Sequence, residues 1–166
     1  MVIKPHLIAS MRLACLASLL VTCLHAGAQT PLGKINGPAE VFALEGDFED
    51  VRDSLVFAIE SQGLVISYIS HAADMLERTG AVVDHPPAVY GGAEVVLFCK
   101  AGLSHNLAAD NPHNLVLCPY PIAVYSLTDE PDTTYLSIPA YPDAPVYREL
   151  RAFLLGIIAR AKEGVF

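Results

Sequence analysis

Charge is sparse in this chain, above all positive charge: only 17% of its 166 residues are charged, and ten Lys and Arg are outnumbered by eighteen Asp and Glu. That balance excludes a surface that follows phosphate backbones or settles on anionic lipid, since both need concentrated positive charge. Tryptophan is absent, and so is any Cys-x-x-Cys-His, which excludes covalent attachment of a c-type haem. Gly91-Gly92 runs into a strand-like segment instead of a helix N-terminus, so no phosphate-cradling loop is expected there. The uncharged run before the first cleavage-like site is twelve residues, Leu13 to Leu24. A membrane-crossing helix needs roughly 20, so no stable membrane anchor is expected.

What the N-terminus does contain is ordered. Lys4 and Arg12 precede the apolar run, which then meets Ala26-Gly27-Ala28. Positive region, apolar region and small-residue site in that order predict a signal peptide over residues 1–28, cleaved after Ala28, and hence a periplasmic or secreted product. Lipidation at Cys23 is an open variant, although Thr22 stands where a small residue usually precedes a lipidated cysteine. A start at Met11 would give the same mature protein. Without Lys4 and Arg12, eight cations face all eighteen acids, a net charge of −10. Residues 29–37 form an N-terminal extension, and 38–166 are the size of one α+β domain with a single core.

Periodicity supplies the elements. Val41 to Leu44 alternates as a strand and stops at Glu45-Gly46. Asp47 is an N-cap, Glu49 and Asp50 suit the first turn, and Phe48, Val51, Leu55, Ala58 and Ile59 form a helical stripe ending at Gly63. Leu64 to Ile69 reads as a strand and Ala72 to Arg78 as a short helix closed by Gly80. The segment containing Pro86, Pro87, Gly91 and Gly92 reads as a surface loop. Ala93 to Cys99 is a strand, and Leu103 to Asp110 a helical stretch. Because Pro119 and Pro121 would remove ladder donors, the next strand is placed from Ile122 to Leu127. It is followed by an Asp129 to Asp132 loop and a returning strand, Thr134 to Ile138. Asp143, Ala144 and Pro145 open a final helix whose stripe of Val146, Leu150, Phe153, Leu154, Ile157, Ile158 and Ala161 reaches Lys162. Two long single-stripe helices must share one face of a mainly antiparallel sheet.

Phe48 to Gly63 leading into a strand, the Ala93 to Cys99 strand, and Leu117-Cys118-Pro119-Tyr120-Pro121-Ile122-Ala123-Val124-Tyr125 resemble the bacterial family catalogued as domain of unknown function 302. The resemblance covers roughly Pro38 to Tyr141. It implies a curved antiparallel sheet backed by two helices, similar to the TATA-box-binding protein in architecture, often a homodimer, and no nucleic-acid binding. Many cytoplasmic members carry Asn-Pro where this chain has Phe98-Cys99-Lys100-Ala101, and the cysteine-containing form resembles an exported branch. No activity is carried over with the likeness.

Cys99 and Cys118 remain after cleavage, at neighbouring strand ends, and a disulfide between them is the leading assignment. A ring of twenty residues would stabilise the fold by roughly 3 kcal/mol. Two buried thiols are the plain alternative. The sharper one is a zinc or copper site made with His105 and His113, which fall between the cysteines as Cys-x5-His-x7-His-x4-Cys, a spacing that matches no finger or ribbon. Noncovalent haem on a histidine also stays open. Ser104 and His105 are adjacent and would diverge by about 100° on a helix, so they form no nucleophilic dyad. His71 is expected to cap or to lie on the surface, with a cleft shared with His105 as the alternative. Tyr120, Tyr125 and Tyr135 lie near the hairpin, and alternation puts Tyr125 on the helix-free face, where aromatics would suit dimerisation or ligand binding. Ordinary cross-strand packing is the rival reading. The sequence therefore points to an exported, non-enzymatic ligand- or protein-binding domain, with no cofactor and a homodimer among its assemblies. A metal-, haem- or thiol-dependent redox protein built on Cys99, Cys118, His105 and His113 is the alternative.

Overall fold

A computed structural model of the chain describes residues 33–83 and 88–164. The expected signal peptide, its cleavage site, Met11 and Cys23 lie outside these residues, as do Pro86 and Pro87. The described chain forms one six-stranded antiparallel sheet with helices against one face. In chain order the elements are β1 (Lys34–Asn36), β2 (Ala39–Glu45), α1 (Phe48–Glu60), β3 (Val65–His71), α2 (Ala72–Gly80), β4 (Tyr90–Cys99), α3 (Ala101–Asp110), a 3-10 turn over Pro112–Leu117, β5 (Tyr120–Leu127), β6 (Glu130–Pro139) and α4 (Pro145–Gly164). The strand order is β1-β2-β6-β5-β4-β3.

Asp47 caps α1 as its position predicts, with Oδ1 accepting from the Asp50 amide at 3.0 Å. Gly46 leaves β2 at φ 135°, a backbone geometry that favours glycine, and turns the chain into the helix. The α1 stripe of Val51, Leu55, Ala58 and Ile59 is buried, facing Leu150, Leu154, Ile157, Ile158 and Ala161 of α4 and the sheet beneath. Each Val, Leu or Ile side chain here withdrawn from water contributes roughly 1.5–3 kcal/mol, so this layer dominates the fold's stability.

Four expectations need correction. β4 begins at Tyr90, three residues before the expected Ala93, and takes in Gly91 and Gly92. Glycine is required here for closeness: a Cβ on Gly92 would come within 2.7 Å of the Phe48 ring, and the ladder shifts register between Tyr90 and Gly92. β5 likewise starts early, at Tyr120, with Pro121 inside it. Pro121 is tolerated because it pairs with Leu97 of β4, while the ladder to β6 ends at Ala123 and Ser137. The hairpin loop is tighter than expected, since β6 starts at Glu130. Finally, the expected N-terminal extension contains β1, which pairs with β2 through Lys34↔Val41, Ile35↔Glu40 and Asn36↔Ala39. Three exposed residues carry too little periodicity to be read as a strand.

Candidate functional site

Because side chains alternate across each strand, the ladders assign every row of the sheet to a face. One row runs Phe42, Leu136, Val124, Glu94 and His71 across β2, β6, β5, β4 and β3, and lies under the helices. It is apolar except at its β4–β3 end. There Glu94 is one-tenth exposed, one of its carboxylate oxygens meets His71 Nδ1 at 2.9 Å, and the other has no partner. His71 occupies the cap position of α2 without making a side-chain cap bond. Its partner is Glu94, and the alternative cleft with His105 is not formed, since His105 lies on α3, beyond the opposite end of β4.

The opposite, helix-free face has a different make-up. Its central row is Val41, Ser137, Ala123, Val95 and Ser70 across β2 to β3, small or β-branched and uncharged, with Lys34 of β1 at its edge beside Val41. Beside it lies Ala43, Tyr135, Tyr125 and Ala93, a tyrosine pair between two alanines. The Tyr125 and Tyr135 rings stack with centroids 5.3 Å apart, and Tyr90 meets Tyr125 edge-on at 5.6 Å. Leu97 and Pro121, with Tyr68 on β3, bound the central row on its other side. The small row is thus a shallow trough between the stacked tyrosines and a mixed ridge of Leu97, Pro121 and Tyr68. Burial raises the Tyr125 phenol above its usual range, helped by Tyr90, and the Tyr135 hydroxyl is raised mainly by its hydrogen bond to the Glu130 carboxylate. Both therefore act as neutral hydrogen-bonding groups beside the Ser137 and Ser70 hydroxyls of the trough.

Tyr120 does not join them. It is fully buried on the helix-covered face, edge-on to Phe98 and Phe153, and its hydroxyl meets Ser104 Oγ at 2.7 Å. Parity is the reason: Tyr120 and Tyr125 are an odd number of residues apart and must point oppositely. Burial raises the Tyr120 phenol, and the Ser104 bond opposes that shift.

Cys99 and Cys118 are joined in a disulfide with Cα atoms 6.4 Å apart, tying the end of β4 to the residue that leads into β5 and closing the α3 segment between them. Both sulfurs are thereby committed. His105 and His113 are exposed on α3 and the 3-10 turn, and among the described residues no three His, Cys, Asp or Glu side chains gather as metal ligands. Ser104 turns away from His105 toward Tyr120 and Cys118 Sγ, 3.6 Å off, so the adjacent pair forms no dyad. No helix among the described residues is long and apolar enough to cross a membrane.

Sequence reasoning missed a buried pair. Glu40, 1% exposed on β2, accepts from Arg151 Nε at 2.8 Å and from Nη2 at 2.6 Å. The signal was present, because Glu40 falls in phase with Phe42 and Leu44, which face the helices.

No family model matches the chain, and no curated protein does. Among solved structures it is similar to the crystal structure of an uncharacterized conserved protein, DUF302, from Bacillus stearothermophilus. The TM-score is 0.53 at 12% identity, over 78% of this chain and 97% of the other. At that identity the likeness is one of fold: an open antiparallel α+β sheet with helices on one face, as in domain of unknown function 302.

Proposed function

We propose that this is an exported, non-enzymatic accessory domain that engages a protein partner or ligand across its helix-free sheet face, a second copy of itself among the partners. The observation that carries the reading is the uncharged trough of Val41, Ser137, Ala123, Val95 and Ser70 beside stacked Tyr125 and Tyr135. In a mature chain of net charge −10 such a surface is where another acidic molecule approaches without like-charge repulsion. Tyrosines add apolar area with few rotatable bonds and a hydroxyl that keeps its hydrogen bonds. Export is supported by the ordered N-terminal signals and by a disulfide, a bond that persists in oxidising compartments.

Two measurements test it. The mature protein is expected to begin at Gln29 and, unreduced, to weigh two hydrogens less than its dithiol form. Met1 or Val2 retained on a cytosolic product overturns export. In light scattering at micromolar concentration, a dimer is expected, and Tyr125→Ser with Tyr135→Ser returns it to monomer. A monomeric wild type with no hydrogen-exchange protection on this face in envelope extract overturns the interface.

A further inference from the structure

A second recess lies on the helix side, around the start of α4. Tyr141, Asp143, Tyr147, Arg148, Arg151 and Leu155 are among the residues lining a half-open cleft of about 390 Å³. Its components differ in kind. Tyr141 and Tyr147 stack on each other at 5.6 Å and 23°, and the pair offers the cleft an outer ring face and ring edges. Pro142, Ala152 and Leu155 add apolar surface. Arg151 is held by two hydrogen bonds to the buried Glu40 carboxylate, which leaves its remaining donors on a side chain that is 40% exposed. A guanidinium anchored this way has lost its rotamer freedom before any ligand arrives, so an oxyanion meets a fixed fork. Arg148 is 66% exposed, and its partner Asp143, 3.1 Å away, is 89% exposed. Such a surface pair contributes little, so Arg148 is free to exchange Asp143 for a better acceptor. Burial pushes the Tyr141 phenol up to about 12, so its hydroxyl stays protonated beside the cleft.

We propose that this cleft is a binding site for a small carboxylate with a planar, apolar body, the carboxylate lying on Arg148 and Arg151 and the flat body against Tyr141 and Tyr147. Guanidinium forks match carboxylate geometry, and an outer ring face takes a flat body with little loss of its own freedom. The site is separate from the open sheet face, which lies on the other side of the sheet, so either assignment can fail alone.

Benzoate, benzamide and inorganic phosphate separate the contributions in chemical-shift titrations of the mature, oxidised protein. Benzoate is expected to saturate in the millimolar range and move amides between 141 and 155. Benzamide, which keeps the ring and loses the charge, is expected to bind roughly tenfold more weakly, the size of one charge-assisted contact. Arg148→Gln, an exposed change that leaves the Glu40–Arg151 pair intact, is expected to weaken benzoate by a similar factor, and Tyr147→Ala to weaken benzoate and benzamide alike. Equal affinity for benzoate and benzamide, phosphate bound in preference to benzoate, or shifts centred on Tyr125 and Tyr135 would each overturn the assignment.

Discussion

The two faces of the sheet are built from the same strands and reward opposite compositions. Along β5, Tyr120, Ile122, Val124 and Ser126 point under the helices and are buried, while Ala123 and Tyr125 between them point outward and remain partly exposed. The covered face is filled to exclusion, and where it admits charge it does so as Glu40 gripped twice by Arg151, or as Glu94 beside His71. The open face keeps its middle free of charge and fills it with small side chains between the Tyr125–Tyr135 stack and the Leu97, Pro121 and Tyr68 ridge. One face thus carries the stability, and the other is available for contact at small thermodynamic cost.

Substitutions that cross this division test it. The largest effect is expected for Arg151→Ala, which strands the buried Glu40 carboxylate under the helices. A loss of about 3–5 kcal/mol in denaturant unfolding is expected, and a loss under about 1 kcal/mol would show that the pair is not effectively buried. Ile122→Ala removes a fully buried side chain from the same face and is expected to cost about 2–5 kcal/mol by the same measurement. Opening the bond with Cys99→Ser and Cys118→Ser is expected to cost about 3 kcal/mol, because it releases the α3 connection that the bond closes. Smallest is Tyr125→Ala. Though three residues from Ile122, it gives up only cross-strand contacts and is expected to lower stability by about 1 kcal/mol or less, while weakening self-association. Equal losses at Ile122 and Tyr125 would erase the distinction between the faces.

How much of this was legible depends on what each residue reports. Asp47, the α1 stripe and the α4 stripe were readable because capping and 3.6-residue periodicity are local properties, and each places its own face without knowledge of the partner. Gly92 and Pro121 were misread because their usual meaning, a break, is overruled by neighbours distant in sequence: the Phe48 ring lying on Gly92, and a β6 ladder that stops before Pro121. Tyr120 was grouped with Tyr125 by proximity although parity separates them. Glu40 showed the right parity, but nothing nearby in sequence names Arg151, 111 residues on.

By itself, then, the amino-acid order determined the α+β class, two single-stripe helices, the acidic balance and two cysteines flanking one connection, since these follow from spacing and composition. Only the tertiary structure decided that Glu40 meets Arg151, that Ser104 turns to Tyr120, and that Tyr141 and Tyr147 stack beside two arginines. Such pairings join side chains through space, and their energies depend on burial and distance that no local pattern encodes.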